Sequence, residues 1–552
     1  MKNLLSKIFC KDGTISWFTS ILLGFFTTFT IVGLKALNPL NTHWIYHAIN
    51  ADPLQHYYGW LFFKDTQWSF PLGLNPNYGA TLSSSIVYSD SIPLMALIFK
   101  LFAPLTDANF QYFGMWLLLC FILQSYFTIA IIKLFCNSFY IGVITALLVN
   151  LTPILLWRMQ VHLALSGHFL LLWGIYLILR SVFKNRYLGI SWTLLLSISA
   201  LVHAYLFAMV VVMWLASAAN ALLRRNVTVA VMLKESIFNV IIVGFILVFV
   251  AGYDFSYSNS MSGTSVEYGT YRWNILAPIS SYGYSSVLNF LPAIRGNFDT
   301  YSYLGAGVFV IGFAALIRFR VGKLKVLTLV RSNKILVAVL LLLVPFAVTN
   351  KIAVGNIRFS FEIPTSLINA FSIFSSSARF IWPVIYLCIF SLIYLIVVSY
   401  HKHAAIIILS LALSVQIADS IPLIREVRKF TTSEIVVPNA LLQDDILKRL
   451  VKEGGYRRIL VIPSGNRENP GFPDVTFFAH EMGLSTNSVY LSRVNGSEAS
   501  NRRKEIISQL GSGNLDRDAV YVLQRNEEKF IKLDLLRYKV LRLDGRMFVF
   551  PR

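Results

Sequence analysis

Apolar positions along this chain fall in long unbroken blocks separated by short polar connections, and this block pattern stops at about residue 418. The segments 238–253, FNVIIVGFILVFVAGY, and 335–348, ILVAVLLLLVPFAV, carry no charge. Each covers most of the roughly 20 residues a helix needs to cross a bilayer. Blocks of this kind predict spans near 15–37, 110–135, 139–155, 163–182, 187–203, 204–223, 237–253, 303–318, 335–349, 380–400 and 404–418. The stretch 187–223 can also be divided differently around His203. The stretch 91–104 is too short, and too close to Pro104, to cross; it reads as a helix lying along the outer surface. The expected fold class is a polytopic α-helical membrane protein of about eleven spans, with a small C-terminal α/β domain on the outer side.

That last domain is read from 419–552, where the pattern becomes mixed. A helical stretch near 437–453 is followed by the strand-like RRILVIPS from Arg457, a helix near 500–511 and the strand-like AVYVLQ from Ala519. KVLRLDGRMFVF then predicts a hairpin turning at Asp544 and Gly545. No G-x-G-x-x-G or P-loop pattern occurs, so no nucleotide site is assigned. Residues 1–418 form the transmembrane domain, with outer loops 38–109, 254–302 and 350–379.

Composition agrees with this class: 56% of residues are hydrophobic and 14% charged, against about 25% charged in soluble domains. The formal net charge is +21, from 48 Lys and Arg against 27 Asp and Glu. The cations fall between spans. Lys2, Lys7 and Lys11 precede the first apolar run, Lys184 and Arg186 follow the fourth, and Arg224 and Arg225 follow the sixth; Arg318, Arg320, Lys323, Lys325, Arg331 and Lys334 fill one short loop. The positive-inside rule places these loops and the N-terminus in the cytoplasm and the C-terminal domain outside, in a periplasmic position on an inner (plasma) membrane. Nucleic acid is not an expected partner, because the cations do not gather on one soluble face. Four cysteines, Cys10, Cys120, Cys136 and Cys388, give no disulfide framework. The run 15–37 is long and has no A-x-A-like site after it, so it reads as a retained helix with Lys35 snorkelling to the outer interface.

On the outer side the densest polar cluster is HWIYHAINADPLQHYYGW. Gln55 and His56 follow Asp52 by three and four residues and share its face if the segment is helical. Asp52 then suits a general base on an acceptor hydroxyl, with Gln55, His56 and Trp60 as substrate-binding groups. It equally suits the cap of a short helix with Pro53 at its first position. Asp90, in VYSDSIPLMALIFK, is a second candidate acid with the same alternative, a cap for a helix beginning near Ser91. Trp44, Trp60, Trp68, Tyr271, Trp273 and Tyr282 suit interfacial anchors or sugar-stacking platforms. His43 and His47 have the spacing of two metal ligands, but no H-E-x-x-H signature accompanies them, and they read as hydrogen-bonding groups. No metal ligand is assigned. His162 and His168 stand six apart, off a common helical face, and each is a candidate substrate donor. Arg158, Arg272, Arg295, Arg358 and Arg379 lie outside against the positive-inside tendency. Arg379, in FSSSARFIWP, and Arg272, in YGTYRWN, are the first candidates to grip a lipid phosphate or diphosphate. The alternative is a salt bridge to Asp254, Glu267 or Glu362, or snorkelling to headgroups.

The order of a single span, a long outer loop with an early acid (Asp52), the surface-helix pattern SIPLMALIFKLFAP and then FQYFGMWLLLCFILQSYFTIAIIKLF resembles the GT-C superfamily of membrane glycosyltransferases. The resemblance implies a polyprenyl-phosphate-linked sugar as donor, a glycan or lipid acceptor at the cell surface and membrane lipids as surroundings. It makes Asp52 the catalytic base and an outer arginine a ligand of the carrier phosphate. No cofactor is implied. The first loop has no D-x-D or E-x-D pair, so a metal-assisted version has no motif to rest on, and the fold would have to bring Asp52 and Asp90 together. Two other classes stand beside this one. A transporter or flippase of a lipid-linked glycan would show ionisable groups mid-span and paired broken helices, and few such features occur. A non-catalytic scaffold would tolerate loss of Asp52, Asp90 and Arg379 together.

Overall fold

The structure, a computed structural model, describes residues 11–46, 52–80, 82, 84–255, 267–289, 298–434, 439–462, 472–494, 496–524 and 538–551. The chain divides into two compact units. A helical unit takes 1–41, 113–243 and 266–433; a second unit takes 42–112, 244–265 and 434–552.

Among the described residues, six helices are long and apolar enough to cross a membrane: Phe113–Ile132, Leu163–Lys184, Ala204–Leu223, Val229–Val250, Ser377–Ser399 and Lys402–Thr431. A seventh crossing arises if Lys325–Ser332 and Lys334–Val348, bent by 84°, count as one span. The remaining apolar blocks hold the helix Lys11–Ile31, apolar from Ile15, and the shorter helices Phe139–Asn150, Gly189–Ala200 and Ala306–Ile317. Length and composition therefore give six or seven crossings where the blocks suggested eleven. The difference has local causes. Pro153 opens a separate short helix, Pro153–Arg158. The 187–223 stretch divides where the blocks placed the break: His203 caps Ala204–Leu223, its Nδ1 accepting the Tyr205 N–H at 3.1 Å, and the helix before it, Gly189–Ala200, is short.

These helices are membrane-like in what they leave outside. Val229–Val250 buries only 11% of its most apolar window within the protein, so its Phe238, Val240 and Ile241 need lipid cover. Inside the helical unit, small residues and hydroxyls hold the contacts. Asn150 Nδ2 donates to Ser125 Oγ at 2.9 Å, and a Cβ on Gly114 would overlap the Ala36 carbonyl. The basic stretch 318–334, expected as a loop, forms the helix Phe319–Ser332. The last long helix runs on to Thr431 and buries Asp419, whose Oδ2 accepts the Tyr303 hydroxyl at 3.0 Å and the Ala306 N–H at 2.9 Å. In this unit β1 (Lys351–Val354) and β2 (Ile357–Ser360) make an antiparallel hairpin.

The second unit is built around five strands, β3 (Arg458–Ile462), β4 (Ser485–Thr486), β5 (Ala519–Gln524), β6 (Tyr538–Leu543) and β7 (Arg546–Pro551), in the order β4-β3-β5-β7-β6. β3 runs parallel to β4 and β5; β7 is antiparallel to β5 and β6. Asp544 and Gly545 turn the last hairpin with φ of 51° and 70°, the left-handed pair that a two-residue turn of this hand requires. The first loop extends the sheet. Gly79 and Ala80 N–H donate to the Thr486 carbonyl at 2.9 and 2.8 Å, and Thr486 N–H donates to Asn77 O at 2.9 Å. Past β4 the Asn487 side chain continues the ladder, accepting from Val461 N and donating to Val461 O.

Candidate functional site

In the second unit, the helix Asp52–Asp65 begins at the candidate base and is buried along its length to Lys64. Asp52 is 8% exposed, and its Oδ1 accepts the Tyr490 hydroxyl at 2.8 Å. Tyr490 is itself held from behind, its N–H donating to Tyr78 Oη at 3.2 Å. One turn along, Gln55 Nε2 donates to the Tyr88 carbonyl at 3.2 Å, which also accepts Ser492 N–H at 2.6 Å and Ser492 Oγ at 3.0 Å. His56 Nδ1 lies 3.1 Å from Ser89 O, and the His56 carbonyl accepts Ser91 Oγ at 2.6 Å. Burial lowers the His56 imidazole to about 4, so it is neutral near pH 7.

Gln55 and His56 therefore strap down the turn that carries the second candidate acid. Asp90 and Ile92 in that turn have φ of 52° and 53°. Left-handed backbone at such residues costs on the order of 1–3 kcal/mol each and persists where neighbours over-determine it. Here the neighbours are the Ser89–Ser91 hydroxyl pair at 2.8 Å and Tyr112, whose hydroxyl donates to Ser91 O. The following helix, Pro93–Lys100, has Ile92 at its cap position with no side-chain cap bond, so Asp90 is not its N-cap. Trp60 is fully buried; its Nε1 donates to Phe110 O at 2.8 Å and its ring packs edge-on against Tyr112. Its contacts hold the loop.

The helical unit carries a separate charged cluster. Arg158 Nη1 meets Asp299 Oδ1 at 2.7 Å and its Nη2 donates to Asp299 O at 2.6 Å. Arg379 Nη2 reaches both Asp299 oxygens, at 2.8 and 3.0 Å. His162 Nε2 stands 3.9 Å from the same carboxylate. Arg158 lies over the Trp382 ring and Arg379 over Tyr205. His168 is buried against Trp382, with Nδ1 2.8 Å from Tyr386 Oη. Burial alone would raise the Asp299 carboxyl; the charges of Arg379 and Arg158 outweigh it and hold it well below the usual carboxylate range. Two guanidiniums, Arg158 and Arg379, thus converge on one carboxylate. The N-terminal ends of Leu163–Lys184 and Ser377–Ser399 lie at this cluster and add their dipoles.

Arg379 thus has a salt bridge, but to Asp299 rather than to Asp254, Glu267 or Glu362. Glu267 pairs with Lys351. Arg272 donates to Gly269 O at 2.8 Å, and no carboxylate pairs with it among the described residues; burial and then Arg358 lower its affinity for the proton. His47 and Arg295 lie outside the described residues. Among those described, no group of three His, Cys, Asp or Glu is placed to hold a metal ion.

Tyr490 and Asp299 were not singled out in the sequence. Asp299 had one usable signal: no Asp or Glu occurs in 108–234, 300–361 or 363–418, so a lone acid beside several arginines stands out. Tyr490 had none, being 438 residues from its partner. Comparison with characterised proteins and with solved structures gives no match. Family models match twice: residues 21–421 fit the domain of unknown function DUF6311, and residues 447–551 fit the DUF6311 C-terminal domain. With most of its length covered by the first of these models, the chain belongs to the DUF6311 family.

Proposed function

We propose that this protein is a membrane glycosyltransferase that moves a sugar from a polyprenyl-phosphate donor to a glycan or lipid acceptor on the outer face of an inner (plasma) membrane. The observation that carries the proposal is Asp52, a nearly buried carboxylate fixed by Tyr490 at the head of a helix whose next turn holds the Asp90 turn in place. A general base needs that fixed orientation toward an acceptor hydroxyl. In the reaction the acceptor oxygen bonds to the sugar's anomeric carbon and its proton passes to Asp52. The bond from that carbon to the phosphate breaks, and the phosphate leaves on its polyprenyl chain. The convergence of two guanidiniums, Arg158 and Arg379, at Asp299 supports a second assignment, binding of the carrier's phosphate in the helical unit. Each assignment rests on its own unit.

The orientation follows from charge. Arg224 donates to Asn185 Oδ1 at 2.7 Å and to Asn333 Oδ1 at 3.1 Å, so three basic connections share one end of the helical unit. The positive-inside rule assigns that end to the cytoplasm.

The test compares membranes with and without the chain for transfer of labelled sugar from a synthetic polyprenyl-phosphate donor. Transfer that requires both chain and lipid-linked donor is the expected result. Labelled lipid that crosses the bilayer unchanged, with no transfer, would instead support the flippase class.

A further inference from the structure

The helical unit contains an apolar cavity of about 320 Å³ that glycosyl transfer does not use. Its walls come from Phe169–Lys184, from both arms of the bent pair Phe319–Ser332 and Lys334–Leu341, and from Trp382–Ser399. Nearly all lining groups are apolar; Asn333, at the bend, is the main polar one. Along Trp382–Ser399 the lining runs from Val384 to Tyr394. At 1.5 Å per residue that is about 15 Å, half of the roughly 30 Å hydrocarbon core. The cavity is therefore one leaflet deep.

Its rim is cationic. Asn333 Oδ1 accepts from Arg224 at 3.1 Å and from Asn220 at 2.9 Å, which fixes a guanidinium beside the opening. Lys184, Arg331 and Lys334 are exposed next to lining residues. The segments that supply the walls contain no Asp or Glu. An anionic headgroup would meet attraction at the rim and no like charge from the wall segments, the arrangement by which basic pockets between membrane helices retain acidic lipids. Phe319–Ser332, which carries Arg331 of this rim, is an amphipathic helix turned across the span that follows it.

We propose that this cavity is a binding site for one anionic glycerophospholipid, with an acyl chain in the cavity and the phosphate at Arg224, Arg331 and Lys334. The one-leaflet depth favours such a lipid over the much longer polyprenyl chain. The site is independent of the glycosyltransferase reading.

The test uses the purified full chain in phosphatidylcholine nanodiscs and a phosphatidylglycerol with a diazirine at the end of one acyl chain. Cross-links are expected within 326–341 and 384–394, displaced by unlabelled phosphatidylglycerol and not by phosphatidylcholine. Leu336→Trp should fill the cavity and cut labelling at least fivefold. The double variant Arg331→Gln and Lys334→Gln, on exposed positions, should remove most of the preference for phosphatidylglycerol. Undiminished labelling in Leu336→Trp, equal displacement by phosphatidylcholine, or displacement only by polyprenyl phosphate would overturn the proposal.

Discussion

Replacing Tyr490 by Phe keeps the ring and deletes the hydrogen bond to Asp52 Oδ1. Hydrogen bonds to a charged group contribute about 1.5–3 kcal/mol, so transfer should slow by roughly tenfold to a hundredfold. A lowered melting temperature with an unchanged transfer rate would mean that Tyr490 only packs. His56 gives a pH effect of defined sign. Its folded value near 4 lies below the ordinary 6.5, so the unfolded chain binds more protons between the two. Stability is full above about 6.5 and falls as pH drops toward 4, by no more than about 3 kcal/mol. His56→Gln should flatten this part of a melting-temperature series. At Asp299, Arg158→Met leaves a buried carboxylate with one partner removed, a change that costs roughly 3–5 kcal/mol. Adding Asp299→Leu takes the same carboxylate from buried Arg379, so the double variant should not recover that loss in a thermal unfolding measurement.

Gly59 shows how one helix shapes the turn beside it. A Cβ there would overlap the side chains of Ser89 and Ser91, which pin the turn carrying Asp90. Gly59→Ala should push that turn away, and a displacement of about 1 Å at a site costs up to a hundredfold in rate; unchanged transfer would separate the turn from the chemistry. A second joint in the same unit links Asp52–Asp65 to Phe472–Glu481, where His480 Nε2 meets Asp65 Oδ2 at 2.9 Å. Burial opposes protonation of His480, but Asp65 and Glu481 prevail and raise its pKa. Its contribution is full below about 6.5 and lost as pH rises through the raised value, the opposite limb from His56. Asp65→Asn should remove the alkaline loss. Elements marked by local signals were legible in the sequence: the helix opened by Asp52 and Pro53, the strand from Arg458 and the Asp544–Gly545 turn. Strand β4 was not, because two polar residues carry no period and Ser485–Thr486 acquires its role from pairing with β3 and residues 77–80. The span count was legible only as apolar blocks: the break at His203 fell where the blocks divided, whereas Pro153 cut the 139–155 block by backbone geometry rather than by polarity.

At the scale of the molecule, the first loop and the C-terminal domain belong to one compact unit assembled from 42–112, 244–265 and 434–552. Hydropathy separates these segments because the apolar blocks lie between them. For the same reason, the sequence offered Asp52 as a candidate but not the tyrosine that orients it. A chain ending at residue 433 should leave Asp52 without Tyr490 and residues 77–80 without the Thr486 edge. Limited proteolysis should then cut 42–112 faster, and transfer should be lost. The most direct test of the central claim is the transfer rate of the purified chain in proteoliposomes, wild type against Asp52→Asn, with melting temperatures matched. A fall of at least a thousandfold at unchanged stability is the predicted result; equal rates would contradict the assignment of Asp52 as the base.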